Sequence, residues 1–198
     1  LVAALVALVL PRHGAISTRA PRGDWRRLLR NGPYLRLLFF SLAAYVCLQG
    51  PLTIFPLFVR ERGGSLDSVS GMWVPMLLLE IPLVALSGTL LARLGSRTLL
   101  AIGVLAGGIR WSASALTDSL AVTAVLGLLH GIVALGLGIG ASLYVEEAIP
   151  EPLRSTGQAL LATIGVGLGG ILSNLACGWL FDHASPRDAL AGGIGMVF

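Results

Sequence analysis

Charge is scarce in this chain, and lysine is absent altogether. Of the 198 residues only 12% are charged, whereas 55% are hydrophobic, and the mean hydropathy is +0.84. A water-soluble domain carries about 25% charged residues, so this composition cannot cover a surface that faces water. The sequence therefore predicts a membrane protein.

Residues that commonly build catalytic or metal sites are also sparse. The two cysteines, Cys47 and Cys177, both lie inside apolar runs, which indicates neither a disulfide framework nor a zinc site. No Ser, His and Asp stand in a plausible catalytic arrangement, and no metal-ligand spacing occurs. We therefore expect no metal, no cofactor and no enzymatic activity.

All 14 basic residues are arginine, and seven of them lie within the first 36 residues. A basic chain could bind nucleic acid, but basic clusters between apolar runs are typical of cytoplasmic membrane loops. If 11–36, 93–97 and 147–155 share one side of the membrane, that side holds ten arginines and the opposite loops hold three. We therefore expect an Arg-rich cytoplasmic loop at 11–33 and no nucleic-acid partner.

Apolar stretches of spanning length follow one another along the chain. A helix that crosses a membrane needs about 20 mostly apolar residues. The predicted spans are 34–59, 69–92, 97–116, 120–146 and 155–181, with partial spans at 1–10 and 189–198. Ser68 and Ser119 are the expected N-caps of the second and fourth full spans. Because the chain starts and stops inside apolar runs, we expect it to be part of a longer protein.

Glycine recurs at four-residue spacing in several spans. Such pairs let helix backbones approach closely, although any glycine-rich membrane helix produces some of them by chance. The pairs are Gly103/Gly107, Gly127/Gly131, Gly136/Gly140 and Gly165/Gly169.

Three ionisable residues, Glu80, Arg110 and His130, lie near the middle of three different predicted spans. With a rise of 1.5 Å per residue, they fall within roughly 5 Å of one plane. An ionisable side chain at this depth costs about 2.5–3.5 kcal/mol on insertion scales and usually faces a polar interior. We expect a shared site that binds a polar solute and passes a proton, with Gln49 and Asn174 as further cavity-lining residues.

Each of these residues also has a structural interpretation. The long Arg110 side chain can extend to the nearer interface, and His130 can bond a carbonyl as a packing residue. A protonated Glu80 can bond carbonyls freed by the proline kink that follows it. Gln49 and Asn174 are more often hydrogen-bonding contacts between helices. Four aromatic residues are either interface anchors or groups that stack on a sugar: Tyr45, Trp73, Trp111 and Tyr144.

The order of these features resembles the C-terminal half of a major facilitator superfamily transporter. The resemblance rests on Glu80 in LLLEIP, Arg110 in GGIRWSAS, His130 in LLHGIV and the stretch PLRSTGQAL at 152–160. Arg93 stands seventeen residues before Arg110, and His130 stands twenty after it. This spacing is similar to that of the lactose-permease-like and nucleoside–proton-symporter-like branch.

The resemblance implies an all-α integral membrane fold, in which 34–198 is the C-terminal six-helix bundle and 1–10 ends the preceding helix. It implies a secondary active transporter in a bacterial inner membrane, with a second six-helix half upstream in the same chain. Such a protein moves a small polar or anionic organic solute by alternating access, here coupled to protons. A non-transporting membrane scaffold or sensor with this fold is the alternative.

A cytoplasmic motif of the superfamily is present in part. Gly88–Arg97 is similar to Gly-x-x-x-Asp-Arg-x-Gly-Arg, and Gly88, Arg93, Gly95 and Arg97 remain. Ala92 stands where the motif has its Asp, so the chain departs from the motif at its acidic position.

Two further positions depart from the lactose-permease pattern near the histidine. Val133 stands where that protein has a proton-carrying Glu, and Gly127 replaces a basic residue. If transport is proton-coupled, Glu80 or an acid in the other half must carry the proton.

Overall fold

The computed structural model describes residues 25–184, and every regular element in this range is helical. The prediction of an all-helical membrane protein is confirmed, because five of the helices are long and apolar enough to cross a membrane. The predicted segments 1–10 and 189–198, and the loop up to residue 24, lie outside the described residues. The helices are α1 (Trp25–Leu28), α2 (Gly32–Glu61), α3 (Leu66–Ala85), α4 (Ser87–Leu116), α5 (Leu120–Ala148) and α6 (Glu151–His183).

Serine side chains determine where two of the helices begin. α3 starts after Ser65, because the hydroxyls of Ser65 and Ser68 each accept a hydrogen bond from the other residue's backbone N–H. The prediction of Ser68 as the N-cap is therefore wrong, since this capping box places Ser68 at the third helical position. Ser119 caps α5 as predicted, by accepting a hydrogen bond from the Val122 N–H.

Gly95 interrupts α4. Its φ of 75° and ψ of 160° are non-helical, and a positive φ of this size favours glycine. The part of α4 before Gly95 continues α3, because only Leu86 separates the two helices and its N–H still donates to the Pro82 carbonyl at 3.0 Å. The break thus lies between the predicted spans 69–92 and 97–116, and not at the boundary between α3 and α4.

α4 and α5 come into backbone contact where two glycines meet. A Cβ on Gly136 would lie 2.5 Å from the Gly103 Cα, so no side chain fits between them. A Cβ on Gly131 would likewise lie 3.3 Å from the Glu80 Cα on α3. Gly127, in contrast, has no neighbour within 4 Å among the described residues. Of the four glycine pairs, three therefore have both members against another helix, and in Gly127/Gly131 only Gly131 does.

Two hydrogen bonds bring the beginning of α2, the break in α4 and the end of α5 to one end of the bundle. The Asn31 side-chain amide donates to the Ala148 carbonyl at 3.2 Å, and the Ser96 hydroxyl donates to a Glu147 carboxylate oxygen at 2.6 Å. The arginine-containing loops that we assigned to one side of the membrane therefore lie together, as far as the structure describes them. We call this region the Arg-rich end; it comprises residues 25–36, 93–97 and 144–157.

Tyr34 joins α2 to α6 at the Arg-rich end. The residue is fully buried, and its hydroxyl donates to the Gly157 carbonyl at 2.9 Å. Tyr34→Phe removes this hydrogen bond, which costs about 0.5–1.5 kcal/mol, while the Gly157 carbonyl keeps its bond from the Leu161 N–H. We expect a lower melting temperature in detergent for Tyr34→Phe and no change for Tyr45→Phe, whose hydroxyl makes no hydrogen bond within residues 25–184. Equal melting of Tyr34→Phe and the unchanged protein would contradict this role.

Candidate functional site

Arg110 is held inside the bundle by residues on two other helices. Its side chain is only 2% exposed. Nη1 lies 3.0 Å from Nδ1 of His130 on α5, and Nη2 donates to Sδ of Met76 on α3 at 3.4 Å. Arg110 therefore links α3, α4 and α5, and its guanidinium is enclosed within the bundle.

Two aromatic rings flank the Arg110 guanidinium. Its central carbon lies 4.2 Å from the Trp111 ring centroid and 6.0 Å from that of Phe55. No carboxylate of residues 25–184 lies within 4 Å of it. The attraction between a cation and ring faces offsets part of the cost of removing the charge from water. Arg110 can thus remain charged and still have donor capacity for an incoming group.

The contact with Arg110 fixes the hydrogen-bonding state of His130. A guanidinium only donates hydrogen bonds, so Nδ1 of His130 accepts and the proton of the neutral ring is on Nε2. The ring is half-buried and bonds no carbonyl within the described part of the chain. His130 is therefore bonded to Arg110 and not to a neighbouring carbonyl, and its Nε2–H has no partner among the described residues.

A cavity of about 420 Å³ adjoins the Arg110–His130 pair. This volume lies in the range of small-molecule sites, which combine apolar walls with a few polar groups. Its walls come from α2, α3, α4 and α5. The polar and aromatic residues that line it are Tyr45, Gln49, Glu80, Arg110, Trp111 and His130.

Glu80 shares this cavity without contacting the other two charged residues. It is half-buried on α3. Within residues 25–184 its carboxylate makes no hydrogen bond or ion pair, either with Arg110 or with carbonyls near the proline kink. The three predicted residues thus line one cavity, but only Arg110 and His130 are in direct contact. Their binding of a solute stays a prediction.

The two predicted amide residues have different positions. Gln49 is half-buried and lines the cavity. Asn174 is exposed and is not among the residues that line it; its Oδ1 accepts a hydrogen bond from the Thr53 hydroxyl at 2.9 Å. Asn174 therefore serves as a contact between α6 and α2 in this structure.

The four motif residues are arranged around the break in α4. Gly95 supplies the positive φ, and the Arg97 guanidinium lies 5.7 Å from the Tyr144 ring centroid. Arg93 is exposed, and Gly88 has no neighbour within 4 Å among the described residues. Arg93, Gly95 and Arg97 lie at the Arg-rich end, and none of the four motif residues lines the cavity, so they form a separate feature.

A carboxylate does reach this break, but it comes from another helix. Ala92 cannot supply one, whereas Glu147 at the end of α5 accepts the hydrogen bond from the buried Ser96. The hydrogen bond that joins α4 and α5 at this break is thus a hydroxyl–carboxylate bond.

Met76 is the contact of Arg110 that sequence analysis missed. It lies one helical turn before Glu80 on α3, and a spacing of four places both on one helix face. This spacing is the signal that was available. A methionine in an apolar helix is so common, however, that nothing distinguishes Met76 from a packing residue without the position of Arg110.

These helices and their polar cavity define an integral membrane protein with a polar cavity inside a helical bundle. The chain belongs to the MFS_1 like family, whose model matches residues 15–191. The resemblance to the major facilitator superfamily is thereby confirmed.

Two curated relatives are transporters by name. The chain is 28% identical over 188 residues to the uncharacterized transporter YwbF of Bacillus subtilis (strain 168). The matched region covers 93% of the chain and 46% of YwbF. It is 32% identical over 189 residues to the maltose permease of Geobacillus stearothermophilus. The matched region covers 92% of the chain and 47% of the permease. The chain thus spans about half the length of these relatives. No solved structure matches it.

Proposed function

We propose that this chain is the cavity-bearing half of a secondary active transporter that moves a small polar or anionic organic solute together with protons. The observation that carries the proposal is the contact of the buried Arg110 with His130 in the wall of a 420 Å³ cavity. A buried charge without a carboxylate partner is costly to maintain in a membrane helix and usually has a function. The transporter relatives favour flux over a scaffold or sensor role.

Arg110 has the donor geometry to bind an oxygen of the solute. One side of its guanidinium is engaged by His130, while the other donates to the Met76 thioether. A thioether is a weak acceptor, so a carboxylate or hydroxyl oxygen that replaces it forms a stronger bond. The Nε2–H of His130 then donates to a second oxygen nearby. Both hydroxyl-rich and anionic solutes fit this scheme, and the name of the maltose permease favours a hydroxyl-rich one.

Glu80 is the proton carrier in this proposal. Its carboxylate lies in the same cavity and makes no bond within residues 25–184, while Val133 provides no acid on α5. A charged carboxylate is unfavourable when the cavity closes and loses water. Protonation of Glu80 therefore accompanies solute movement.

The transport cycle requires a second cavity wall. In transporters built from two repeats, the halves rock about a site near the middle of the membrane. The N-terminal half supplies that wall in our proposal, in agreement with the length of the relatives. We place the Arg-rich end and the 11–33 loop in the cytoplasm of a bacterial cell, because positive loops stay on that side of the inner membrane.

Glu80→Gln tests the proton coupling. The full-length transporter is reconstituted in liposomes, and uptake of a panel of sugars and organic acids, with maltose first, is measured with and without an imposed pH gradient. We expect gradient-driven accumulation to fall by about 100-fold in Glu80→Gln, because an amide of the same shape cannot carry a proton. Exchange of solute across the membrane at equal pH should persist, since binding needs no proton transfer.

The matched control is Glu151→Gln, which changes an exposed carboxylate at the beginning of α6. Accumulation should be unchanged in that variant. Full accumulation by Glu80→Gln would remove Glu80 from the proton path. Solute binding by the unchanged protein without any flux would favour the scaffold or sensor alternative.

A further inference from the structure

A second cavity, of about 330 Å³, lies at the Arg-rich end between α2, α4 and α5. It shares no residue with the cavity beside Arg110, and nothing in the proposed transport cycle uses it. Its lining includes two arginines from different helices, a tyrosine and several apolar residues. Those that matter here are Arg36, Leu37, Phe40, Arg97, Leu100 and Tyr144.

The positive charge of this cavity is not neutralised. No acidic residue lines it, and within residues 25–184 neither Arg36 nor Arg97 has a carboxylate within 4 Å. Both side chains are exposed, and Arg97 lies over the Tyr144 ring at 5.7 Å. Arg62, outside the Arg-rich end, is by contrast 3.8 Å from the carboxylate of Asp118. The two arginines therefore give the cavity the chemistry that favours an anion, because guanidinium groups bind phosphate strongly.

The apolar part of the cavity lies deeper along the same helices. Phe40 is one helical turn beyond Arg36 on α2, and Leu100 is nearly one turn beyond Arg97 on α4. Leu37 and Leu100 are buried, whereas Phe40 is partly exposed. The cavity thus has a cationic mouth at the level where the spans end and an apolar floor toward the bilayer. A small soluble anion would occupy only the mouth.

We propose that this cavity binds an anionic phospholipid, with the headgroup phosphate between Arg36 and Arg97 and the start of an acyl chain along Leu37 and Phe40. The charge selects the headgroup, and the apolar floor favours a lipid over a soluble phosphate. Basic pockets between membrane helices bind anionic headgroups on this physical basis. The site is independent of the identity of the transported solute.

The test uses the full-length transporter, delipidated in a neutral detergent and titrated with phosphatidylglycerol or phosphatidylcholine. Native mass spectrometry counts the lipids that remain bound. We expect phosphatidylglycerol to bind more tightly than phosphatidylcholine, and Arg36→Gln/Arg97→Gln to weaken its binding by about 30-fold. Arg36→Lys/Arg97→Lys should keep most of the binding, which shows that charge and not a folding defect is responsible.

Arg93→Gln is the matched control, because Arg93 is exposed beside the same break but does not line the cavity. It should bind phosphatidylglycerol like the unchanged protein. Equal phosphatidylglycerol binding by the double Gln variant would overturn the site. Inorganic phosphate and glycerol phosphate form a second arm: displacement of the lipid by either one at millimolar concentration would show a soluble-anion site and overturn the lipid assignment.

Discussion

Arg110→Ala in the full-length transporter is expected to abolish solute uptake while the protein still inserts and folds. The guanidinium supplies the cavity with its buried donors, and it also holds His130 in a defined tautomer through the 3.0 Å contact. Losing hydrogen bonds to a charged group costs about 1.5–3 kcal/mol each. Two such bonds to the solute correspond to at least about a 100-fold loss of uptake.

The charge-retaining variant separates charge from geometry. Arg110→Lys keeps the cation, but an ammonium is a compact point charge that cannot contact His130 and a solute oxygen in one plane. We expect uptake between that of Arg110→Ala and that of the unchanged protein. Uptake equal to the unchanged protein in Arg110→Lys would show that only the charge is needed.

Two controls test whether the Arg110→Ala protein folds and whether the effect is specific to the position of Arg110. Arg110 is a buried charge without a carboxylate partner, and such a charge is costly to bury, so we expect Arg110→Ala to reach the membrane in normal amounts. Arg60→Ala, at the exposed end of α2, changes a surface arginine and should leave uptake intact. Persistent uptake by Arg110→Ala would show that the solute site lies elsewhere.

The membrane helices could be predicted because the physics that selects them is local. About 20 apolar residues must follow one another, and this requirement is visible in the sequence without any tertiary information. The helix ends are less well determined. Ser65 and Ser68 both fit an N-cap, and only the hydrogen bonds at the end of the preceding loop show that Ser65 takes this place.

The charged residues of the candidate site were visible for a related reason. A charge inside an apolar span is rare, so Glu80, Arg110 and His130 stand out from their surroundings. Their positions relative to one another, however, depend on the tertiary structure. The Arg110–His130 contact and the isolation of the Glu80 carboxylate depend on how α3, α4 and α5 rotate against one another, which no periodicity in a nearly uniform apolar helix determines.

Uncharged polar residues were harder to assign. Gln49 and Asn174 carry equivalent amide groups in similar apolar runs, yet only Gln49 lines the cavity, whereas Asn174 bonds Thr53. An amide between helices gains a hydrogen bond in either position, so residue type alone cannot separate the two roles.

The site also depends on a contact that contains no charge. Gly136→Ala is expected to disrupt both folding and uptake. The new Cβ would lie 2.5 Å from the Gly103 Cα and 2.5 Å from the Leu99 carbonyl oxygen. Both are backbone atoms that no rotamer change can move, so α4 and α5 must separate. Overpacking of this kind costs about 1–3 kcal/mol, and it also pulls Arg110 away from His130 because each lies on one of the two helices.

Melting in detergent and uptake in liposomes measure the two consequences of Gly136→Ala separately. We expect a lower melting temperature, together with a loss of uptake larger than the loss of folded protein. Gly127→Ala on the same helix is the matched control, because its Cβ meets nothing within 4 Å among the described residues. It makes the same glycine-to-alanine change without the collision. If the two variants behaved alike, the effect would come from helix propensity, and the close contact of α4 and α5 would not be what holds the Arg110–His130 pair together.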